Sequence, residues 1–122
     1  MWYSQRNKYG AIKTTHDGHV YDSKLEAKHA QNLDFRKKGK LIKGWTRQCK
    51  IDLYYYDSMG VKYSDKSWKV DFLVEEKDGT FTLEEVKGLA TNDFLAKERL
   101  LKNVWLHDHP NYKYKIYYAK DI

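Results

Sequence analysis

Apolar positions change their period along the chain. From Ser67 to Glu75 they alternate: Trp68, Val70, Phe72 and Val74 share one face, and Lys69, Asp71 and Leu73 the other. That is the two-residue repeat of a strand. Arg47 to Tyr56 and Thr80 to Lys87 read as two more strands, joined through turns at Asp57-Ser58-Met59-Gly60 and Lys77-Asp78-Gly79. Two other stretches repeat at helical spacing. The first follows Asp22-Ser23 and carries Leu25, His29, Ala30 and Leu33 on its least polar stripe, with Glu26 in the middle of it. Ser23-x-x-Glu26 fits a capping box, and Gly39 stops the helix after about Lys38. The second starts at Thr91 or Asn92, runs to about His107, and aligns Phe94, Leu101, Val104 and Trp105, with Lys97 inside the stripe. Tyr112 to Tyr118 reads as a last strand, and Asp17-Gly18, within Ala11 to Tyr21, as a hairpin turn. The predicted order is hairpin, helix, three strands, helix, strand.

A chain of 122 residues with no linker or repeat predicts one domain, residues 1–122. One cysteine, Cys49, excludes a disulfide framework and a Cys-based zinc site, and reads as a small buried residue. No apolar stretch approaches the ~20 residues of a membrane helix, and Met1-Trp2-Tyr3-Ser4-Gln5-Arg6 lacks a secretory apolar segment. The expectation is a cytoplasmic protein with no membrane partner. The net charge of +6 is uneven: residues 1–50 carry 12 basic and 4 acidic side chains, residues 51–86 carry 4 and 9. A basic chain with an acidic middle suits a polyanion partner around a cation-binding centre. A charged surface that only keeps a small protein soluble has the same composition.

The chemistry concentrates in Asp71 and Glu85-Val86-Lys87. Glu85 and Lys87 share a strand face, about 7 Å apart along the backbone. The turn decides whether Asp71 joins them. A two-residue Asp78-Gly79 turn pairs Asp71 with Val86; a three-residue Lys77-Asp78-Gly79 loop, with Gly79 left-handed, pairs it with Glu85. We expect the second register. Two facing carboxylates repel unless a cation lies between them, and Mg²⁺, taking carboxylate and carbonyl oxygens with several waters, suits them. The Val86 carbonyl could add an oxygen, and Lys87 could orient a water or stabilise phosphate charge. The same residues also fit a solvated sheet face with cross-strand ion pairs.

The arrangement as a whole resembles the PD-(D/E)xK nuclease superfamily. It comprises a helix with an inward glutamate, a strand ending in Asp-Phe, a hairpin into Glu-x-Lys, then a helix and a strand. More narrowly, it resembles a family of small phage-encoded endonucleases first catalogued as a domain of unknown function. The resemblance rests on Lys8-Tyr9-Gly10, on Asp17-Gly18-x-x-Tyr21-Asp22-Ser23-Lys24-x-Glu26-Ala27, on Lys69-Val70-Asp71-Phe72 and on Glu85-Val86-Lys87-Gly88. Val70 stands where the superfamily's proline precedes the first acid. The resemblance implies an α/β, restriction-endonuclease-like core: a central mixed β-sheet flanked by helices, with an N-terminal β-hairpin. It implies Mg²⁺-dependent hydrolysis of DNA, with Mn²⁺ as a substitute. Asp71 and Glu85 would bind metal, Lys87 would be the catalytic lysine, Glu26 the acid from the first core helix, and Lys97 a polar contribution from the following helix. Branched or duplex DNA, in recombination or replication, is the implied partner. If the protein is phage-encoded, the compartment is the host cytoplasm. Two cuts in a symmetric substrate suit a homodimer. A silent DNA- or protein-binding module on the same fold is the rival expectation.

Arg36, Lys37, Lys38, Lys40, Lys43, Arg47 and Lys50 are the candidate phosphate contacts, joined by Lys97. Tyr54-Tyr55-Tyr56 fits sheet packing better than base stacking. His16 and His19 read as turn residues, and His107-Asp108-His109 as a fraying helix end that welcomes positive charge.

Overall fold

A computed structural model describes residues 3–6, 12–16 and 19–21 by their backbone and residues 23–122 in full. Strands β1 (Tyr3–Arg6), β2 (Ile12–His16) and β3 (His19–Tyr21) form a small antiparallel sheet. His16 pairs with His19. Asp17-Gly18 itself, Lys8-Tyr9-Gly10 and Asp22 lie outside the described residues. Strand β1 was not among the predicted elements; Tyr-Ser-Gln-Arg carries no apolar alternation that would announce it.

Helix α1 (Lys24–Lys38) begins at Ser23, whose hydroxyl accepts the Glu26 N–H at 3.2 Å. This satisfies one of the orphan donors of the first turn. The helix ends at Gly39 as expected, but Gly39 has φ −78° and the left-handed step falls on Lys40 (φ 60°). Strands β4 (Gly44–Tyr56), β5 (Lys62–Glu75) and β6 (Phe81–Lys87) form an antiparallel meander. Helix α2 (Asn92–Leu100) is capped by Thr91, which accepts the Phe94 N–H at 3.2 Å. It continues through a π-helical turn, Leu101–Trp105, and a last turn, Leu106–Asp108. Strand β7 (Tyr112–Tyr118) then returns parallel to β6. The sheet order is β4-β5-β6-β7. The architecture is α/β, a mixed sheet flanked by helices with an N-terminal hairpin, compatible with a restriction-endonuclease-like core. Among the described residues no helix is long and apolar enough to cross a membrane.

Each helix covers its own hydrophobic cluster. Ala27, Ala30 and Leu33 of α1 pack on Phe72, Val74 and Val86. Phe94 and Leu101 pack on Ile51, Leu53, Trp68, Val70 and Leu83. The expected single apolar face of β5 is therefore split: Trp68 and Val70 serve the second cluster, Phe72 and Val74 the first. The backbone shows where the alternation slips. Pairing between β4 and β5 keeps one register from Arg47–Phe72 to Cys49–Val70 and shifts only further on, between Leu53 and Tyr55, but Gln48, opposite Asp71, has φ 54° and is not paired. A left-handed glutamine inside a strand is uncommon and costly. The interruption leaves Asp71 out of the ladder with β4.

The end of the second helix is pinned rather than frayed. His109 stacks on Trp105 with ring centroids 3.8 Å apart, and its Nδ1 lies 2.7 Å from the Trp105 carbonyl oxygen. The Tyr54 hydroxyl donates to Asp108. Tyr54 is thus a packing residue, whereas Tyr55 and Tyr56 are exposed.

Candidate active site

The loop between β5 and β6 has the expected three residues. Glu76 N–H donates to the Thr80 carbonyl at 2.8 Å, and Gly79 is left-handed at φ 86°. Pairing runs from Glu75–Phe81 to Phe72–Glu84. At the next step side chains replace the ladder. Asp71 N–H donates to Glu85 Oε1 at 3.0 Å, and Val86 N–H donates to Asp71 Oδ2 at 2.9 Å. Each carboxylate thus holds the other strand's backbone, and the two acids face each other.

Burial pushes the Asp71 carboxyl above its usual range. Burial and then the charge of Asp71 push Glu85 up to about 8. Lys87 Nζ, 3.6 Å from Glu85 Oε2, pulls the other way without balancing them. Its ammonium also rests 4.5 Å from the centre of the Phe94 ring, a cation–π contact that fixes its position. These groups open on a cleft of about 330 Å³. Trp68 and Phe94 form its apolar wall, Lys69 and Lys97 add positive charge, and Thr91 and Asp93 complete the rim. Asp93 holds Lys97 at 3.4 Å and Lys66 at 3.8 Å.

The donor set fits a hard divalent cation. Asp71 and Glu85 each spend one oxygen on a backbone N–H, and the other oxygen of Glu85, Oε2, lies 3.6 Å from Lys87 Nζ. In a strand, the N–H and C=O of one residue point to the same neighbour, so the Val86 carbonyl shares the side on which Asp71 takes its N–H. Among the described residues no three His, Cys, Asp or Glu side chains gather as a metal site. Two carboxylates and a carbonyl leave the remaining positions to water, as Mg²⁺ prefers.

The other expected site residues separate. Glu26 is half-buried in the first turn of α1 and is not among the described residues lining the cleft. Of the eight candidate phosphate contacts, Lys97 lines the cleft, and Lys50 is exposed on β4. Lys37, Lys38 and Lys40 are exposed at the C-terminal end of α1, and Lys43 pairs with Glu75 at 3.6 Å. Arg47 is half-buried on β4. Arg36 must be reassigned. Its guanidinium grips Glu84 with two bonds of 3.1 Å, which removes it from the free surface cations.

Glu84 belongs to a network the sequence reading missed. It is 1% exposed, and it binds His29 Nε2 at 2.6 Å as well as Arg36. Burial alone would raise its pKa; the hydrogen bonds from His29 and Arg36 outweigh that and hold the carboxyl below its usual range. His29 is fully buried against Phe72 and Tyr117. A signal was available: His29 and Arg36 lie seven residues apart, two turns along one helix face, opposite a doublet of acids on a central strand. Lys69 carried a weaker signal, two residues before Asp71. Gln48 carried none, since glutamine has no special left-handed preference.

A family model described as "Protein of unknown function (DUF1064)" matches residues 6–119. The chain belongs to that family. The match embraces every element from β2 to β7 and hence both acids and the lysine of the cleft. No curated protein matches the chain.

Proposed function

We propose that this member of the DUF1064 family is a Mg²⁺-dependent endodeoxyribonuclease of the PD-(D/E)xK type, with Mn²⁺ as a substitute cation. The observation that carries the reading is the Asp71–Glu85 pair. Two acids are buried face to face, each tied to the other's strand, with Lys87 3.6 Å from Glu85 in an open, lysine-flanked cleft. Facing acids shifted by burial and by each other in a cleft are the kind of pair that clusters at functional sites. Mg²⁺ bound there supplies a Lewis acid for a phosphoryl oxygen and lowers the pKa of water.

The chain's own groups divide the remaining work. Asp71 and Glu85, with the Val86 carbonyl, hold the cation. Lys87 reaches the cleft from the same strand face as Glu85; it orients the attacking water and stabilises charge on the phosphate. Lys97 and the surface cations contact backbone phosphates without reading sequence. Glu26 acts from the first turn of α1 if substrate or cation draws it toward the acids. Branched DNA, in the recombination or replication of a phage genome, is the favoured substrate, on the resemblance set out above. The working form on a symmetric substrate is a homodimer.

The test is cleavage of labelled duplex, single-stranded and four-way-junction DNA in Mg²⁺, Mn²⁺ or EDTA, by wild type and by Lys87→Ala. Metal-dependent cutting that the substitution removes supports the reading, and the preferred substrate separates a junction enzyme from a general endonuclease. A folded wild type that cuts none of the three sinks it and favours a silent binding module.

A further inference from the structure

The ribbon formed by β4 and β5 continues beyond the strands that flank it: β6 pairs only with residues 72–75 of β5. On this ribbon Lys50 lies directly opposite Lys69. Side chains facing each other across an antiparallel pair have Cβ atoms about 4.5–5.5 Å apart, and like charges there destabilise the sheet. Their neighbours Ile51 and Trp68 turn inward under the second helix, so alternation places both lysines together on the outer face. Both are exposed. Among the described residues neither makes an ion pair, and Asp52, next on the same face, makes none with either. Lys69 also lines the cleft, two residues before Asp71.

From this juxtaposition we infer that Lys50 and Lys69 form a phosphate clamp, which holds a DNA backbone phosphate beyond the cleft, on the face of the ribbon away from the second helix. The inference rests on the nuclease reading and deepens it. It assigns an otherwise unfavourable pair of charges to one shared anion, and it makes the outer face of the ribbon the path by which DNA leaves the cleft. A phosphodiester between two ammonium groups neutralises both, so the repulsion that costs the free protein is relieved on binding.

The experiment is DNA binding, read by fluorescence anisotropy with Ca²⁺ replacing Mg²⁺, from 50 to about 300 mM salt. Wild type is compared with Lys50→Gln, Lys69→Gln, the double variant, and Lys28→Gln on the exposed side of α1 as the control for lost charge. Because the two lysines share one phosphate, the double variant should flatten the slope of log affinity against log salt by about 1 and bind about tenfold more weakly. Each single variant should account for most of that loss. Lys28→Gln should match wild type. A second readout needs no DNA. Removing either lysine relieves repulsion and should raise the melting temperature by about 1–4 °C at low salt, a gain that added salt erases. A double variant with the control's affinity and slope, in a protein that binds and cuts DNA, overturns the clamp and leaves the nuclease reading standing. A wild type that binds no DNA at any salt overturns both.

Discussion

Glu84 and Glu85 are neighbours on one central strand, both buried, and they have opposite fates. Glu84 faces α1, where Arg36 and His29 meet it with three hydrogen bonds, and its pKa is drawn down despite burial. Glu85 faces the cleft, where its closest charged company includes another acid, and burial with Asp71 lifts it to about 8. Burial is common to both; the supply of cations differs. The first side of the strand is a finished electrostatic structure. The second sets two buried acids against one lysine. On the proposed reading, that difference separates a structural carboxylate from a metal-binding one more sharply than exposure does.

Breaking the finished side should have the largest effect. Glu84→Ala strands Arg36 and His29 against the α1 face of the sheet, and loss of one partner from a buried ion pair costs about 3–5 kcal/mol. Urea unfolding should show that loss, whereas Glu85→Gln, which removes a repulsion, should be neutral or stabilising. Equal destabilisation by the two substitutions would erase the contrast between the faces. Next comes Lys87→Ala. Removing one group that stabilises transition-state charge should lower cleavage by about 10²–10³-fold. The lysine is partly exposed on Phe94, so its unfolding free energy should move by no more than about 0.5 kcal/mol. A fall in stability matching the fall in activity would make Lys87 a structural residue.

The two faces should also titrate in opposite senses. The folded pKa of Glu84 lies below its unfolded value, so its stabilisation is full above pH 4.5 and fades as pH falls below that. The folded pKa of Glu85 lies above its unfolded value. Its contribution is full below pH 4.5 and is lost as pH rises toward about 8. Melting temperature against pH should therefore slope upward on the acid side in wild type and less steeply in Glu84→Gln, where Asp57, Asp78 and Asp108 still contribute. The decline toward pH 8 should disappear in Glu85→Gln. A cation can replace the proton: at pH 8, Mg²⁺ at 100 times its dissociation constant should add about 2.7 kcal/mol to wild type and nothing to Glu85→Gln. Equal stabilisation of both proteins would place the cation elsewhere.

Much of this site was legible in sequence because it obeys local rules. Gly79 demanded a left-handed residue in a three-residue loop, the loop fixed the register, and the register brought Asp71 to Glu85. Ser23 and Thr91 announced both helix starts through their side-chain oxygens. What escaped depends on contacts distant in sequence. Arg36 looked like one cation in a basic run, and only the packing of α1 on β6 shows that Glu84 claims it. The expected apolar face of β5 failed for a related reason. Strict alternation assumes a regular ladder, and the left-handed backbone that interrupts it lies on β4, at Gln48, more than twenty residues from Asp71 opposite it.

Gln48 also gives the smallest test of the comparison. Its φ of 54° lies in the left-handed region, where a side chain costs roughly 1–2 kcal/mol and glycine almost nothing. Gln48→Gly removes that strain but loosens the unfolded chain, so the net gain in stability should be about 0.5–1 kcal/mol. Gln48→Val should have the opposite sign, because a β-branched residue resists left-handed backbone and favours a regular strand. Its effect should reach the cleft side selectively. A regular β4 would draw Asp71 into the ladder, weaken its bond to the Val86 N–H and reduce the stabilisation by Mg²⁺, while the acid-side slope set by Glu84 stays as in wild type. If Gln48→Val leaves the Mg²⁺ response unchanged, the left-handed step at Gln48 is incidental to the geometry of Asp71, and the side-chain bonds between the two acids alone hold the site.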